Sequence, residues 1–214
     1  MRAKRILAIC MVMLLVALAW PLVASADTAQ TWYLFSSNGP PDVMYKGDTS
    51  QSAGTETVAD GFSNVWRADE AASMHVNFPS GTWSGMLSLD SVFPEGESFT
   101  IEIGTWSGSS FTSATDPPYS IDGDGGDWYV FSFTADAFTV LENQWLAFKI
   151  DNPAAGDADL VVKTGQNYSR VKSPAADPGY PIPELPTIVL LATGLVGLAA
   201  YLGFKRRERV YLKA

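Results

Sequence analysis

Three aspartates, Asp122, Asp124 and Asp127, stand within six residues, separated by Gly123, Gly125 and Gly126. Carboxylates on a pliable glycine-rich loop are hard oxygen ligands, and Ca²⁺ is an ion that takes several of them at once. The spacing lacks the later Glu of an EF-hand loop, so a polar hairpin turn competes with a metal site for the same residues. A looser acidic group, Asp151, Asp157 and Asp159, offers less. No other cofactor is implied. The second chemistry in view is stacking on sugars. Past the N-terminal segment the chain keeps Trp32, Trp66, Trp83, Trp106, Trp128 and Trp145. Trp128 and Trp145 are the candidate glycan platform. Trp145 is out of phase with Leu146, Phe148 and Ile150, and Trp128 with Tyr129, Phe131 and Phe133. Core or corner packing is the competing use of such rings.

Covalent chemistry has less support. His75 is the chain's one histidine. It falls on the polar side of a predicted strand, and no Gly-x-Ser-x-Gly elbow accompanies it. Zinc spacing is absent, and in a region this rich in acid a carboxylate pair can arise by chance. The expectation is therefore no catalytic residue and a protein that is not an enzyme. Asn167-Tyr168-Ser169 is an N-glycosylation sequon, making Asn167 a candidate attachment site if the region is exported.

The elements that must position these residues read as strands. Short runs of aromatic and β-branched residues are cut by Gly, Pro, Asp and Ser, giving candidates at 31–36, 55–60, 73–78, 85–90, 98–104, 128–134, 144–151 and 159–164. Phe99, Ile101 and Ile103 share one face against Thr100 and Glu102, and Met74, Val76 and Phe78 share another against His75 and Asn77. A period of two marks half-buried antiparallel strands. The expected fold is all-β, an antiparallel β-sandwich of jelly-roll type. Gly-Thr-Trp-Ser-Gly occurs at 81–85 and again at 104–108. The repeat predicts two equivalent strand-to-turn corners, with Trp83 and Trp106 covering the ends of the core.

Both ends of the chain carry membrane signals. Arg2, Lys4 and Arg5 precede an apolar run, and Ala24 and Ala26 fit a small-x-small cleavage site before Asp27. Residues 1–26 are expected to be a signal peptide. Near the other end, Thr187 to Phe204 is 18 residues without a charge. As a helix it measures about 27 Å, close to the roughly 30 Å of a hydrocarbon core. Lys205, Arg206 and Arg207 follow it, so the tail at 205–214 is expected to stay cytoplasmic. The domain organisation is then signal 1–26, ectodomain 27–164, Pro-rich stalk and sorting motif 165–186, transmembrane helix 187–204 and basic tail 205–214. Between Asp27 and Pro186 there are 22 acidic and 6 basic residues, a net charge of −16. Such a surface excludes nucleic acid as a partner. Cys10, the one cysteine, lies in the signal segment, so the exported part has no disulfide.

The pattern of signal peptide, Pro183, Glu184, Leu185 and Pro186, apolar helix and basic cluster resembles the tripartite sorting signals read by archaeosortases and exosortases. It is most similar to the archaeal PEF-CTERM type, with the bacterial PEP-CTERM type second. Leu185 departs from the Phe of the first and the Pro of the second. The resemblance implies a sortase-like membrane enzyme as a processing partner, with Pro183–Pro186 as recognition residues. The ectodomain likewise resembles β-sandwich domains of archaeal surface proteins. Taken together, the chain is expected to be a membrane-anchored cell-surface protein with a non-catalytic structural or adhesive role. The alternative is a surface-displayed carbohydrate-binding module. Expected partners are the membrane, the processing enzyme and cell-surface glycans or envelope proteins.

Overall fold

The computed structural model describes residues 29–37, 41–46, 52–153 and 158–180, and among these there are fourteen strands and no helix. The class is all-β. A ten-stranded sheet runs through hydrogen-bonded neighbours in the order β10 (Trp128–Ala135), β6 (Gly81–Ser88), β14 (Arg170–Lys172), β1 (Thr31–Phe35), β2 (Asp42–Lys46), β4 (Phe62–Ala68), β12 (Trp145–Asn152), β7 (Ser98–Trp106) and β8 (Phe111–Ser113). A further strand, β9 (Tyr119–Asp122), also pairs with β7. All these pairs are antiparallel except β2 with β4. Two small ladders complete the fold, β5 (Val76–Phe78) with β11 (Phe138–Val140) and β3 (Gly54–Val58) with β13 (Leu160–Thr164).

The sheet curls because its apolar residues lie on one face and must be covered. In β10 burial alternates strictly, with Tyr129, Phe131, Phe133 and Ala135 inside and Trp128, Val130, Ser132 and Thr134 outside. Phe131 stacks on Phe148 of β12 at 5.9 Å, and Phe133 stacks on Tyr119 of β9 at 5.6 Å. Strands from opposite ends of the sheet therefore face each other across one core. Phe99, Ile101, Ile103, Leu146, Phe148 and Ile150 are all fully buried there. The predicted phase of β7 and β12 holds. That of β5 holds only from Val76, because the strand starts there and Met74 and His75 are exposed.

Several strands were not predicted: β2, β4, β8, β9, β11 and β14. The last falls inside residues 165–186, expected to be a stalk. Instead Arg170–Lys172 form an interior strand of the main sheet, and the chain stays packed through Tyr180. The Tyr180 hydroxyl donates to the Glu70 carbonyl at 2.7 Å and accepts from the Leu146 N–H at 3.3 Å. Its ring lies 5.7 Å from that of Trp32 and 6.1 Å from that of Phe78. Asp177 accepts from the Gly179 N–H at 2.7 Å, and Lys46 Nζ donates to the Tyr180 carbonyl at 3.1 Å. Proline content alone reads as an extended linker. The tertiary contacts of one tyrosine override it.

Ala24 and Ala26, the sorting residues Pro183, Glu184, Leu185 and Pro186, and both predicted terminal helices lie outside the described residues. Among the described residues no helix is long and apolar enough to cross a membrane.

Burial pushes the Tyr180 phenol up to about 12 from its ordinary 10.0. The folded state thus holds this proton more tightly than the unfolded chain. That contribution is complete below the ordinary value and is lost as pH rises through about 12. Raising the pH toward about 12 should therefore lower the domain's stability as Tyr180 ionises. Tyr180→Ala is expected to cost on the order of 3–5 kcal/mol, and Tyr180→Phe about 1 kcal/mol for the hydroxyl's lost hydrogen bonds. Urea unfolding of both variants checks the order, and equal losses would mean that the ring packing counts for little.

Candidate functional site

Opposed residues in paired strands share a face, so the registers of β4, β12, β7 and β8 define what the outer surface presents. Trp145 of β12 lies opposite Trp106 of β7, and Trp106 lies opposite Phe111 of β8. The three aromatics make a row across three strands, spanning about 10 Å at ~4.8 Å per strand. All three are half-buried. The next row is Arg67, Ala147, Gly104 and Ser113, and beyond it come Val65, Lys149 and Glu102.

The small residues in the second row have a reason. A Cβ on Gly104 would lie 2.0 Å from the Thr112 carbonyl oxygen and 3.1 Å from the Phe111 ring. Any side chain there would displace β8 and with it Phe111. Cations flank the aromatics: the Arg67 guanidinium sits 5.0 Å from the Trp145 ring centre, and Lys149 Nζ lies 5.9 Å from that of Phe111. Lys149 also pairs with the nearly buried Glu102 at 2.9 Å and with Asp151 at 3.8 Å, which fixes its position.

A groove of about 460 Å³ opens beside this row, walled by Trp106, Phe111, Val65, Lys149, Asn64 and Ser110 among others. Two rings and a valine give it apolar walls, and the amide, hydroxyl and ammonium groups give it polar ones. Asn64 is held from beneath, because its Nδ2 donates to Asp42, which also accepts from the Ser37 N–H at 2.7 Å. Burial pushes the Asp42 carboxyl up in spite of those hydrogen bonds. Burial likewise raises Glu56, which accepts from the Ser36 hydroxyl at 2.7 Å and lies within the field of Asp42.

Of the predicted platform residues, Trp145 belongs to this face and Trp128 does not. Trp128 is outward and 47% exposed, but it lies on β10, at the opposite end of the strand order. Trp106, expected to cover a core end as the twin of Trp83, is on the outer face, whereas Trp83 is fully buried. The two Gly-Thr-Trp-Ser-Gly copies are not equivalent. One begins β6, and the other ends β7 in the opposite phase. Alternation from Ile103 already puts Trp106 outward, and that was the available signal. Phe111, Arg67 and Lys149 join the site only through strand pairing.

The acidic loop is held by hydrogen bonds of its own. Asp124 Oδ1 accepts from the Gly126 N–H at 2.9 Å, closing its own turn. The loop is pinned to the preceding turn by Gly125 N–H to Phe93 carbonyl at 3.1 Å and Phe93 N–H to Gly126 carbonyl at 2.9 Å. Among the described residues no three His, Cys, Asp or Glu side chains converge to hold a metal ion. His75 is exposed, and Asn167 is exposed on the turn between β13 and β14.

No family model matches the chain, and no curated protein does. One solved structure shares the fold, and two others align more loosely. A CocE/NonD family hydrolase from Staphylococcus aureus, SACOL2612, aligns with a TM-score of 0.50 at 10% identity, over 73% of this chain and 38% of its own. A second crystal structure of that protein aligns at 0.48 and 8% identity, over 68% and 36%. A pilus protein of Bacillus endospore appendages aligns at 0.22 and 13% identity, over 60% and 93%. The chain thus spans about two fifths of the length of the hydrolase it matches. The expectation that this protein is not an enzyme is corrected by that likeness, since its fold recurs within a hydrolase. At 10% identity the likeness is one of fold, and no active site is carried across with it.

Asp42, Glu56 and the buried Asp177 all have carboxyls raised chiefly by burial. Their folded pKa values exceed the unfolded ones, so their stabilising effect is fully present in acid and is lost as pH rises through the raised values. The domain should therefore gain stability as pH falls through the raised values toward the ordinary carboxylate range. The urea midpoint measures this, and the gain should shrink in Asp42→Asn and Asp177→Asn.

Proposed function

We propose that this chain is an exported, membrane-anchored cell-surface protein with a structural or adhesive role in the envelope, and that the outer aromatic row is its binding face. In this reading the curled sheet is an antiparallel β-sandwich of jelly-roll type. The basic-apolar N-terminus is a signal peptide, and the C-terminal apolar stretch holds the domain at the membrane. An archaeosortase- or exosortase-like enzyme acts at Pro183–Pro186. The observation that carries the binding role is the row Phe111, Trp106 and Trp145 beside a polar-walled groove. Half-exposed rings add less to stability than buried ones, and a contiguous outward cluster of them is the usual mark of a contact surface.

The ligand class that fits is carbohydrate. Flat rings stack on the apolar faces of sugars, while Ser110 and Lys149 supply hydrogen-bonding groups for hydroxyls. Three rings across about 10 Å suit roughly two hexose units.

Glycan-array binding by the full chain tests the reading. Trp106→Ala and Trp145→Ala should each weaken binding about tenfold, near 1.4 kcal/mol, and Trp128→Ala should leave it unchanged. Equal binding by all three variants would remove the groove from the proposal. Incubating a bound glycan with the protein and looking for fragments reads hydrolysis directly. Mass spectrometry of the mature protein tests the anchor. A terminus near 183–187 carrying a lipid supports sortase-type processing, and an intact end through Lys213 supports a plain membrane helix.

A further inference from the structure

The turn joining β13 to β14 carries Asn167-Tyr168-Ser169, and its two sequon side chains have opposite environments. Asn167 is exposed, whereas Ser169 has no exposure at all. The Ser169 hydroxyl accepts from the Ser88 N–H at 3.1 Å and donates to the Ser88 carbonyl at 3.4 Å, so both of its hydrogen-bonding roles are taken by β6. Its backbone is equally committed, with the carbonyl accepting from Leu34 N–H at 3.1 Å and the N–H donating to the Lys163 carbonyl at 3.4 Å. Gly165, with φ +119, starts the turn and is tied to the Leu34 carbonyl at 2.7 Å. The Tyr168 N–H closes the turn on the Gly165 carbonyl at 3.1 Å.

We infer that Asn167 is an N-glycan attachment site that is filled before the domain folds. Transfer to a sequon asparagine is licensed by the hydroxyl two residues on, which the transferase must reach. In the folded domain that hydroxyl is sealed between β6 and β14. In the unfolded chain it is free. The reaction joins the asparagine amide nitrogen to the anomeric carbon of a sugar carried on a lipid phosphate. The sugar–phosphate bond breaks, the lipid phosphate leaves with the electron pair, and the amide loses one proton to a base. Once the chain folds, the exposed Asn167 leaves room for the glycan, and Ser169 takes up its place against Ser88. The inference rests on the export part of the proposed function, since only an exported region meets such a transferase.

The test compares two substrates for a purified oligosaccharyltransferase supplied with a lipid-linked oligosaccharide. One is the folded full chain and the other a synthetic peptide of residues 163–172. The peptide should be modified, and the folded chain should react at least about a hundredfold more slowly, because its turn must first open. Protein recovered from a host that glycosylates exported proteins should carry the glycan at Asn167 by mass spectrometry and lose it in Asn167→Gln. Modification of the folded chain at the peptide's rate overturns the order of events, and refusal of the peptide overturns the site. Failure of export is read separately by protease protection and leaves the comparison in vitro intact.

Discussion

Between β6 and β1 the main sheet is joined through Arg170–Lys172, a three-residue strand that pairs with both neighbours. On one side of it lie β10 and β6, and on the other lie β1, β2, β4, β12 and β7. The facing of Phe131 on Phe148, and so the closure of the core, depends on that short strand keeping the two parts in one curled surface. The sequence around it is built for close approach. A Cβ on Gly85 would stand 2.3 Å from the Arg170 carbonyl oxygen and 2.5 Å from the Phe131 ring. Glycine at that point of β6 lets β14 and the core ring meet at one place. Ser169 adds its paired hydrogen bonds to Ser88, and Tyr180 then seals the core beyond the strand.

This arrangement ties the domain's integrity to its connection with the C-terminal tail. The residues just before the tail are the same ones that join the sheet and fill the core between Trp32 and Phe78. The outer aromatic row lies on β12, β7 and β8, several strands away from β14 in the sheet order. The row is nonetheless linked to Tyr180, whose hydroxyl accepts from the N–H of Leu146, next to Trp145 in β12.

The likeness to part of a CocE/NonD family hydrolase is a statement about how strands pack, since a curled antiparallel sheet with one apolar face is a solution many sequences reach. It removes composition-based grounds for setting enzymes aside. It adds no catalytic residue, because function resides in side chains that 10% identity does not carry.

The sequence by itself determined the all-β class, since alternation in β7, β10 and β12 is a local property of consecutive residues and survives any topology. It also determined which side of each of these strands is buried, including the outward phase of Trp145. It could not supply what depends on neighbours brought from a distance. Short strands such as β8, β11 and β14 have three residues each, too few for a period to register, and exist because a longer strand offers them partners. Proline and polar content made 165–180 look like linker until Tyr180 found a cavity among residues far away in the chain. The repeat around Trp83 and Trp106 suggested equivalence, yet the two rings sit on opposite faces because their strands enter the sheet in opposite phase. The aromatic row itself, Phe111 with Trp106 and Trp145, is a product of register. Register is selected by which side chains pack against which across the strands, and that is a tertiary decision.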